Sequence, residues 1–581
     1  MNRIQYVALI YFSLVTICSC GDLFQSSPKY PLEGNWGMVS GAIKHGGTYS
    51  ELPKTGTYYK VIELNQNGTF EETCGDYTAK GTYVVEGSQT ISYSYTDVSG
   101  SGPSYFAMHD SGSWMYRFWD ENTITIYDYT SQLEVSMTFI RMSQEEVDSL
   151  TAEKTNGPIA VTAEHVFDIT HQAGSYYNIY LLNPRLYASD GPSIISNPFR
   201  LIEPRLHICT DLGCDVLCFM PIYREGKNQA KGSPYCVAGF REVDPAYGDL
   251  SQLRQLVAQA HNKGMKVMFD WVANHTAWDC LWIEDHPEWY EKDASGNIVS
   301  PDAEEKWSDV AQLDYANRDL WEEMTDAMLY WINTLDIDGY RCIYSRGPSS
   351  GGTTDYDLFW KYAINAIRKQ KPGFIMLADG DDEKLYDCGF DIVYSSMARL
   401  NLIDAHKNKD IKPFLQSVFA EIAQCPEGHS RLFFVTDQEA AAISSPVQDF
   451  MTQSAARMAF LMVRSLPASN LFYGSQEIAY PSPIDYSSFL EIKWNENVSY
   501  QQFFNDLLKS LDYRRRDENG NLRPVSVWAA GPVAILAFGE KLGVAINISS
   551  SKVTVRMPKG AHPLYLESFT MVPESIMSFS M

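Results

Sequence analysis

The sequence predicts an α/β protein: a (β/α)8 TIM barrel with an N-terminal all-β domain and a C-terminal antiparallel β domain. Three observations predict it. Residues 32–142 read as short strands separated by turns. Eight apolar strand-like runs then alternate with amphipathic helical stretches. From Pro524 onward the helical periodicity stops and short strands resume. At 581 residues the chain is too long for one core, so several domains are expected.

The N-terminal domain is expected over 32–145. Its clearest local signal is a hairpin, with runs at 58–64 and 69–71 flanking Gln66-Asn67-Gly68. Asn-Gly between alternating runs favours a tight turn because both residues tolerate positive φ. Residues 81–85 and 123–127 read as further strands. The opening Gly34-Asn35-Trp36 resembles the G-x-W start of lipocalin-like small barrels, which implies a closed or sandwiched antiparallel sheet. Trp36 is then expected to plug the core.

The barrel is expected over 160–523, after a polar linker at 143–158. Its eight strand runs are 177–181, 216–220, 266–269, 337–340, 374–378, 392–394, 432–435 and 471–473. The run at 216–220 is continuously apolar, as a strand covered on both faces requires. Between the second and third runs, Asp249-Leu250-Ser251-Gln252 reads as a capping box. Leu250, Leu253, Leu256, Val257 and Ala260 mark one helical face, and Gly264 ends the helix. Eight strand–helix units over some 350 residues indicate a barrel with insertions. The C-terminal β domain is expected over 524–581, with strands at 533–538, 543–548 and 552–557.

Charge narrows the partners. The chain carries 46 basic and 72 acidic residues, a net charge of −26. Such a polyanion repels phosphates, which sets nucleic acid aside and leaves neutral ligands such as glycans. Aromatic residues make up 13% of the chain, a level common both in sugar-binding proteins and in large β-rich ones.

Arg3 followed by the apolar run 6–17 has the form of a secretory leader, too short to span a bilayer. It ends in Ile17-Cys18-Ser19-Cys20, which resembles the lipobox of bacterial lipoproteins. Residues 1–19 are therefore expected to be removed, Cys20 to carry the lipid, and 20–31 to act as a tether. The resulting expectation is a protein anchored by acyl chains to the cell envelope, at the outer membrane. Nine cysteines remain beyond residue 20, with scattered spacings and no CxxC pair. Most are expected to be buried thiols, and no zinc site is indicated.

In a barrel of this kind the active site lies at the C-terminal ends of the strands. There the third strand runs into Asp270-Trp271-Val272-Ala273-Asn274-His275. Gly232-Ser233-Pro234-Tyr235, the stretch 261–267, Trp278, Trp282 and His286-Pro287-Glu288-Trp289-Tyr290 accompany it. Asp338-Gly339-Tyr340-Arg341 and Tyr473-Gly474-Ser475-Gln476-Glu477 follow. Together these motifs resemble the alpha-amylase family (glycoside hydrolase family 13) over roughly residues 170–575, and in particular bacterial maltodextrin-acting amylases. The resemblance implies an α-glucan or maltooligosaccharide ligand. It makes Tyr235 the aromatic platform under the sugar at the cleavage subsite. It makes His275 a hydrogen-bond partner of a sugar hydroxyl, and Arg341 the holder of the nucleophile carboxylate. Asp270 and Asn274 would brace the loop after the third strand. No cofactor is implied. Some amylases bind calcium beside the loop containing Asn274, but the sequence shows no full ligand set.

The chain departs from that pattern where the chemistry sits. A retaining glycosidase needs two carboxylates about 5–5.5 Å apart, one of them the nucleophile. The family's nucleophile stands two residues after the strand-four arginine, and here that residue is Ile343. An alkyl side chain cannot form a glycosyl-enzyme bond. Arg341 thereby loses its expected ion partner, and an unpaired buried guanidinium is costly. The acid/base glutamate aligns with Asp379, one methylene shorter. The family's third carboxylate, which grips sugar hydroxyls, aligns with Glu439, and the preceding histidine with Gln438, within Asp437-Gln438-Glu439-Ala440. The family's Asp-Tyr after the Tyr235 loop is Gly239-Phe240.

Three functions fit these residues. The first is a surface glycan-binding pseudoenzyme that keeps the cleft without cutting. The second is a glycoside hydrolase using Asp379 and Glu439 with water. Inverting hydrolysis of that kind suits carboxylates about 6.5–9.5 Å apart. The third is a non-enzymatic scaffold contacting other proteins of a surface glycan-uptake assembly through its N-terminal domain.

Overall fold

The computed structural model describes residues 30–45, 48–51, 61–74, 77–86, 90–99, 111–128, 134–143, 159–169, 176–187, 197–229, 231–301, 307–345, 353–494, 498–517, 521–539, 542–558 and 568–580. The leader at 1–19, Cys20 and nearly all of the tether lie outside the described residues. The chain divides into two compact units, Met1–Asn156 and Gly157–Met581.

The first unit is an antiparallel meander that closes on itself. Its first strand, Gly34–His45, also pairs with the last, Glu134–Met142. Closure removes the unpaired sheet edges that would otherwise template aggregation. The Asn67-Gly68 turn joins Val61–Leu64 to Thr69–Cys74, as expected. Trp36 is buried within this core, among Met38, Phe70, Trp114 and Phe139. Its indole Nε1 donates to the Leu32 carbonyl at 2.8 Å. The Arg141 guanidinium covers its ring at 4.2 Å from the centroid. Trp36 is thus a core residue of this unit.

The second unit is built on a closed barrel of eight parallel strands. In order these are Asn178–Leu182, Val216–Phe219, Lys266–Val272, Gly339–Ile343, Ile375–Ala378, Ile392–Tyr394, Ser430–Phe434 and Ser469–Tyr473. The eighth pairs with the first to close the ring. Every residue of these strands except Lys266 is buried, which is why their sequences read as largely apolar runs. The helix Leu250–Asn262 opens with the expected capping box: Asp249 accepts from Gln252 N at 2.8 Å, and the Gln252 side chain accepts from Asp249 N at 3.0 Å. It ends where Gly264 takes φ +81°, a conformation glycine adopts without a Cβ clash.

Two excursions leave the barrel on the side of the strand C-termini. After the second strand, a hairpin pairs Tyr223–Glu225 with Val237–Val243 and carries Tyr235 in its connection. After the third, His275–Ala277 pairs with Val310–Gln312. These excursions bring sequence-distant side chains over the barrel mouth.

One expected boundary is corrected. The barrel was expected to begin at residue 160, but Ile159–Thr162 and Glu164–Ile169 pair with C-terminal strands instead. Ile159–Thr162 runs parallel to Val553–Arg556, and Glu164–Ile169 runs antiparallel to Val525–Ala530. The C-terminal sheets therefore include the first strands of the second unit. Their shared core, with Ala163, Trp528, Ile535 and Val553, supplies the burial that short strands at either end of the unit lack alone.

Eight described cysteines are free thiols. Seven are buried, and Cys425 is partly exposed. Among the described residues no helix is long and apolar enough to cross a membrane.

Candidate functional site

Strand alternation sets the site. On the fourth barrel strand, Tyr340 points outward, and its hydroxyl donates to the Met328 carbonyl of the helix Arg318–Leu335 at 2.7 Å. Arg341 and Ile343, one residue to either side of Cys342, therefore face the barrel interior. Both are buried. The inward position at the end of the fourth strand is thus filled by an alkyl group.

Arg341 has found other partners. Asp270 lies directly across from it in the register of the third and fourth strands. The Arg341 Nη1 to Asp270 Oδ1 distance is 3.5 Å, with both side chains fully buried. Arg341 Nη2 donates to Gln438 Oε1 at 2.5 Å. Its Nε and Nη1 make no hydrogen bond. The Tyr394 ring lies 5.8 Å from the guanidinium.

As the sequence already implies, no carboxylate stands on the strand of Arg341. One expectation is corrected. Asp270 does not brace the following loop; its carboxylate accepts from Tyr235 Oη at 3.2 Å and Cys218 Sγ at 3.6 Å, besides facing Arg341. The reason is register. Asp270 sits at an inward position of a buried strand beside a buried cation, where charge compensation outweighs loop contacts. Asn274 does hold its loop: Gln312 Nε2 donates to its carbonyl at 2.9 Å, and its amide lies 3.2 Å from His275 Nδ1. That side chain is engaged by His275 and Gln312, and among the described residues no group of His, Cys, Asp or Glu is arranged to hold a metal ion.

The remaining carboxyls differ from one another. Asp379 follows the fifth strand, its N–H continuing the ladder to the Cys342 carbonyl at 3.0 Å. It is only partly exposed. Burial pushes its carboxyl well above the usual range, Arg341 pulls it down, and Glu439 and Asp437 push it up again. Asp437 caps the short helix Gln438–Ile443 by accepting from Ala440 N at 2.9 Å. Gln438 is buried beneath, whereas Glu439 is exposed at the rim. Burial lifts Asp270 to about 6 against the pull of Arg341. Burial lowers His275 to about 4, so its imidazole is neutral at neutral pH.

Gly239, where the family has aspartate, leaves little room for a side chain: a Cβ there would lie 2.9 Å from Arg224 Nε. Phe240 stacks on Trp282 with centroids 5.0 Å apart.

Sequence reasoning missed three aromatics at this mouth. Tyr344, directly after Ile343, takes φ +53°, and its hydroxyl donates to Glu439 Oε1 at 3.4 Å. Trp307 meets the Tyr344 ring edge-on at 4.5 Å and the His275 ring at 5.7 Å. Tyr486 meets Tyr235 edge-on at 5.7 Å. The position of Tyr344 at a barrel strand end was the available signal; Trp307 and Tyr486 lie in loops without one.

Comparison with known proteins agrees with this architecture. Residues 200–343 match the family described as alpha amylase, catalytic domain. The fold is that of the alpha-amylase barrel. An alpha-amylase from Lactobacillus plantarum superposes with a TM-score of 0.57 at 22% identity, over 70% of this chain and 98% of that one. Among curated relatives, an alpha-1,4-glucan:maltose-1-phosphate maltosyltransferase of Cereibacter sphaeroides is 28% identical over 270 residues, covering 42% of this chain and 43% of its own length. An alpha-amylase of Haloarcula japonica is 23% identical over 407 residues, 66% of this chain and 57% of that protein. The chain thus spans less than two thirds of these relatives.

Proposed function

We propose that this protein is an alpha-amylase-family glycan-binding pseudoenzyme that holds α-glucan or maltooligosaccharide at the barrel mouth without retaining-type hydrolysis. One observation carries the reading: Ile343 fills the inward strand-end position where double displacement requires a carboxylate, and Arg341 is engaged by Asp270 and Gln438. The amylase-like relatives support the ligand class. Isothermal titration calorimetry with maltoheptaose tests it. Saturable binding without release of reducing ends is expected; no binding heat would overturn it.

A second reading has one observation in its favour. Burial pushes the Asp379 carboxyl well above the usual range, toward the protonated form a general acid needs, and exposed Glu439 could activate water. Inverting hydrolysis through this pair predicts reducing sugar from the unaltered protein, abolished by Asp379→Ala or Glu439→Ala. The scaffold reading predicts instead that co-purifying membrane proteins are lost when residues 30–145 are deleted.

We further propose lipidation at Cys20 and residence at the outer membrane, on the leader-like run 6–17 and Ile17-Cys18-Ser19-Cys20. Metabolic labelling with palmitate is expected for the full chain and absent for Cys20→Ala.

A further inference from the structure

Among the residues that the family resemblance places at the sugar, Glu439 is exposed at the rim, whereas the floor is covered. Tyr235 is 8% exposed, His275 3%, Gln438 1% and Arg341 0%. Water barely reaches this floor, and a pyranose ring is far larger. What a ligand meets first is the layer above it.

That layer is aromatic. Trp307, Tyr344 and Tyr486 are each partly exposed. Trp307 and Tyr344 stand against His275, and Tyr486 stands against Tyr235. The Tyr344 side chain reaches from the His275 ring, at 6.0 Å between centroids, to Glu439 Oε1 at 3.4 Å. The resemblance assigns both of these positions to sugar hydroxyls. Here the phenol ring stands between them.

Tyr344 holds this pose against its backbone preference. A φ of +53° is disfavoured for a residue with a bulky side chain and persists only where surroundings enforce it. The Tyr356 hydroxyl donates to the Tyr344 carbonyl at 3.1 Å, and Trp360 Nε1 donates to the Ser345 carbonyl at 2.9 Å. These bonds fix the chain at the turn.

We propose that Tyr344 closes the inherited cleavage subsite and that α-glucan binds instead on an aromatic rim of Trp307, Tyr344 and Tyr486, with Glu439 accepting from sugar hydroxyls. The ligand class rests on the glucan-binding reading above; the closure rests on geometry alone. Apolar ring faces take the C–H faces of a pyranose, and one exposed carboxylate supplies the oriented polar contact such sites need.

Two measurements test the proposal. Ligand-free protein is treated with diethyl pyrocarbonate at neutral pH, and each histidine is followed by peptide mass mapping. His275 is in its reactive neutral form there, so slow modification reports burial. Tyr344→Gly suits the positive φ and is expected to speed modification at His275 about tenfold by opening its cover, leaving partly exposed His286 unchanged as control. Tyr344→Asn, which also tolerates this backbone, is the second variant. Equal His275 rates in natural and variant proteins would overturn the closure. Maltoheptaose is then titrated calorimetrically into Trp307→Ala and Tyr486→Ala, where affinity about tenfold weaker is expected. Unchanged affinity in both would overturn the rim. If the natural protein takes no maltoheptaose, the glucan reading and the rim fall together, while the modification rates still decide the closure.

Discussion

Asp270 and Arg341 face each other across neighbouring barrel strands, 3.5 Å apart and both fully buried. This pair compensates the charge of a guanidinium that has no carboxylate on its own strand. Removing one member leaves the other buried and unpaired. Asp270→Ala is therefore expected to destabilise the second unit by about 3–5 kcal/mol, measured by urea unfolding. Stability within ~0.5 kcal/mol of the natural protein would show that Gln438 suffices.

The pH dependence follows from the same region, with opposing signs. Asp270, at about 6, and Asp379, pushed well above the usual carboxyl range by burial, bind protons more tightly folded than unfolded. Their contribution is fully present below the unfolded value near 4 and is lost as pH rises through the folded one; each tenfold gain in proton affinity is worth about 1.4 kcal/mol. His275, lowered to about 4, acts the other way: its contribution is present above about 6.5 and is lost as pH falls toward 4. Melting temperatures from pH 4 to 8 are expected to fall less steeply with rising pH in Asp379→Asn than in the natural protein. In His275→Gln the loss on acidification should shrink.

Restoring carboxylates should not be enough to restore cleavage. Ile343→Asp with Asp379→Glu and Glu439→Asp rebuilds the family's set, but Tyr344 still occupies the space above it. Reducing-sugar release from maltoheptaose is expected only when Tyr344→Gly is added, at about 100-fold or more over the triple variant. Turnover by the triple variant alone would contradict the closure.

Away from the mouth, Glu477 is fully buried and depends on two donors: Tyr180 Oη at 2.7 Å and Ser475 N at 2.8 Å. Tyr180→Phe removes one without changing shape. A loss of about 1–3 kcal/mol in chemical unfolding is expected.

The order and type of the barrel elements, and the departure from the family pattern at residue 343, were legible in the local sequence. The helix Leu250–Asn262 was legible from its own capping residues, and the barrel strands from their apolar runs, because capping and burial on both faces leave local marks. Ile343 was legible because its flanking Asp338-Gly339-Tyr340-Arg341 fixes its position. What those residues do next is set by contacts made on folding. Asp270 became the partner of a cation on the neighbouring strand through register, and Ile159–Thr162 and Glu164–Ile169 joined strands from the far end of the chain. Tyr344 turned over the floor through contacts with Trp307, Glu439 and Tyr356, brought to it by folding. Charge pairing and ring packing act through space, and no local pattern encodes which distant side chain will arrive.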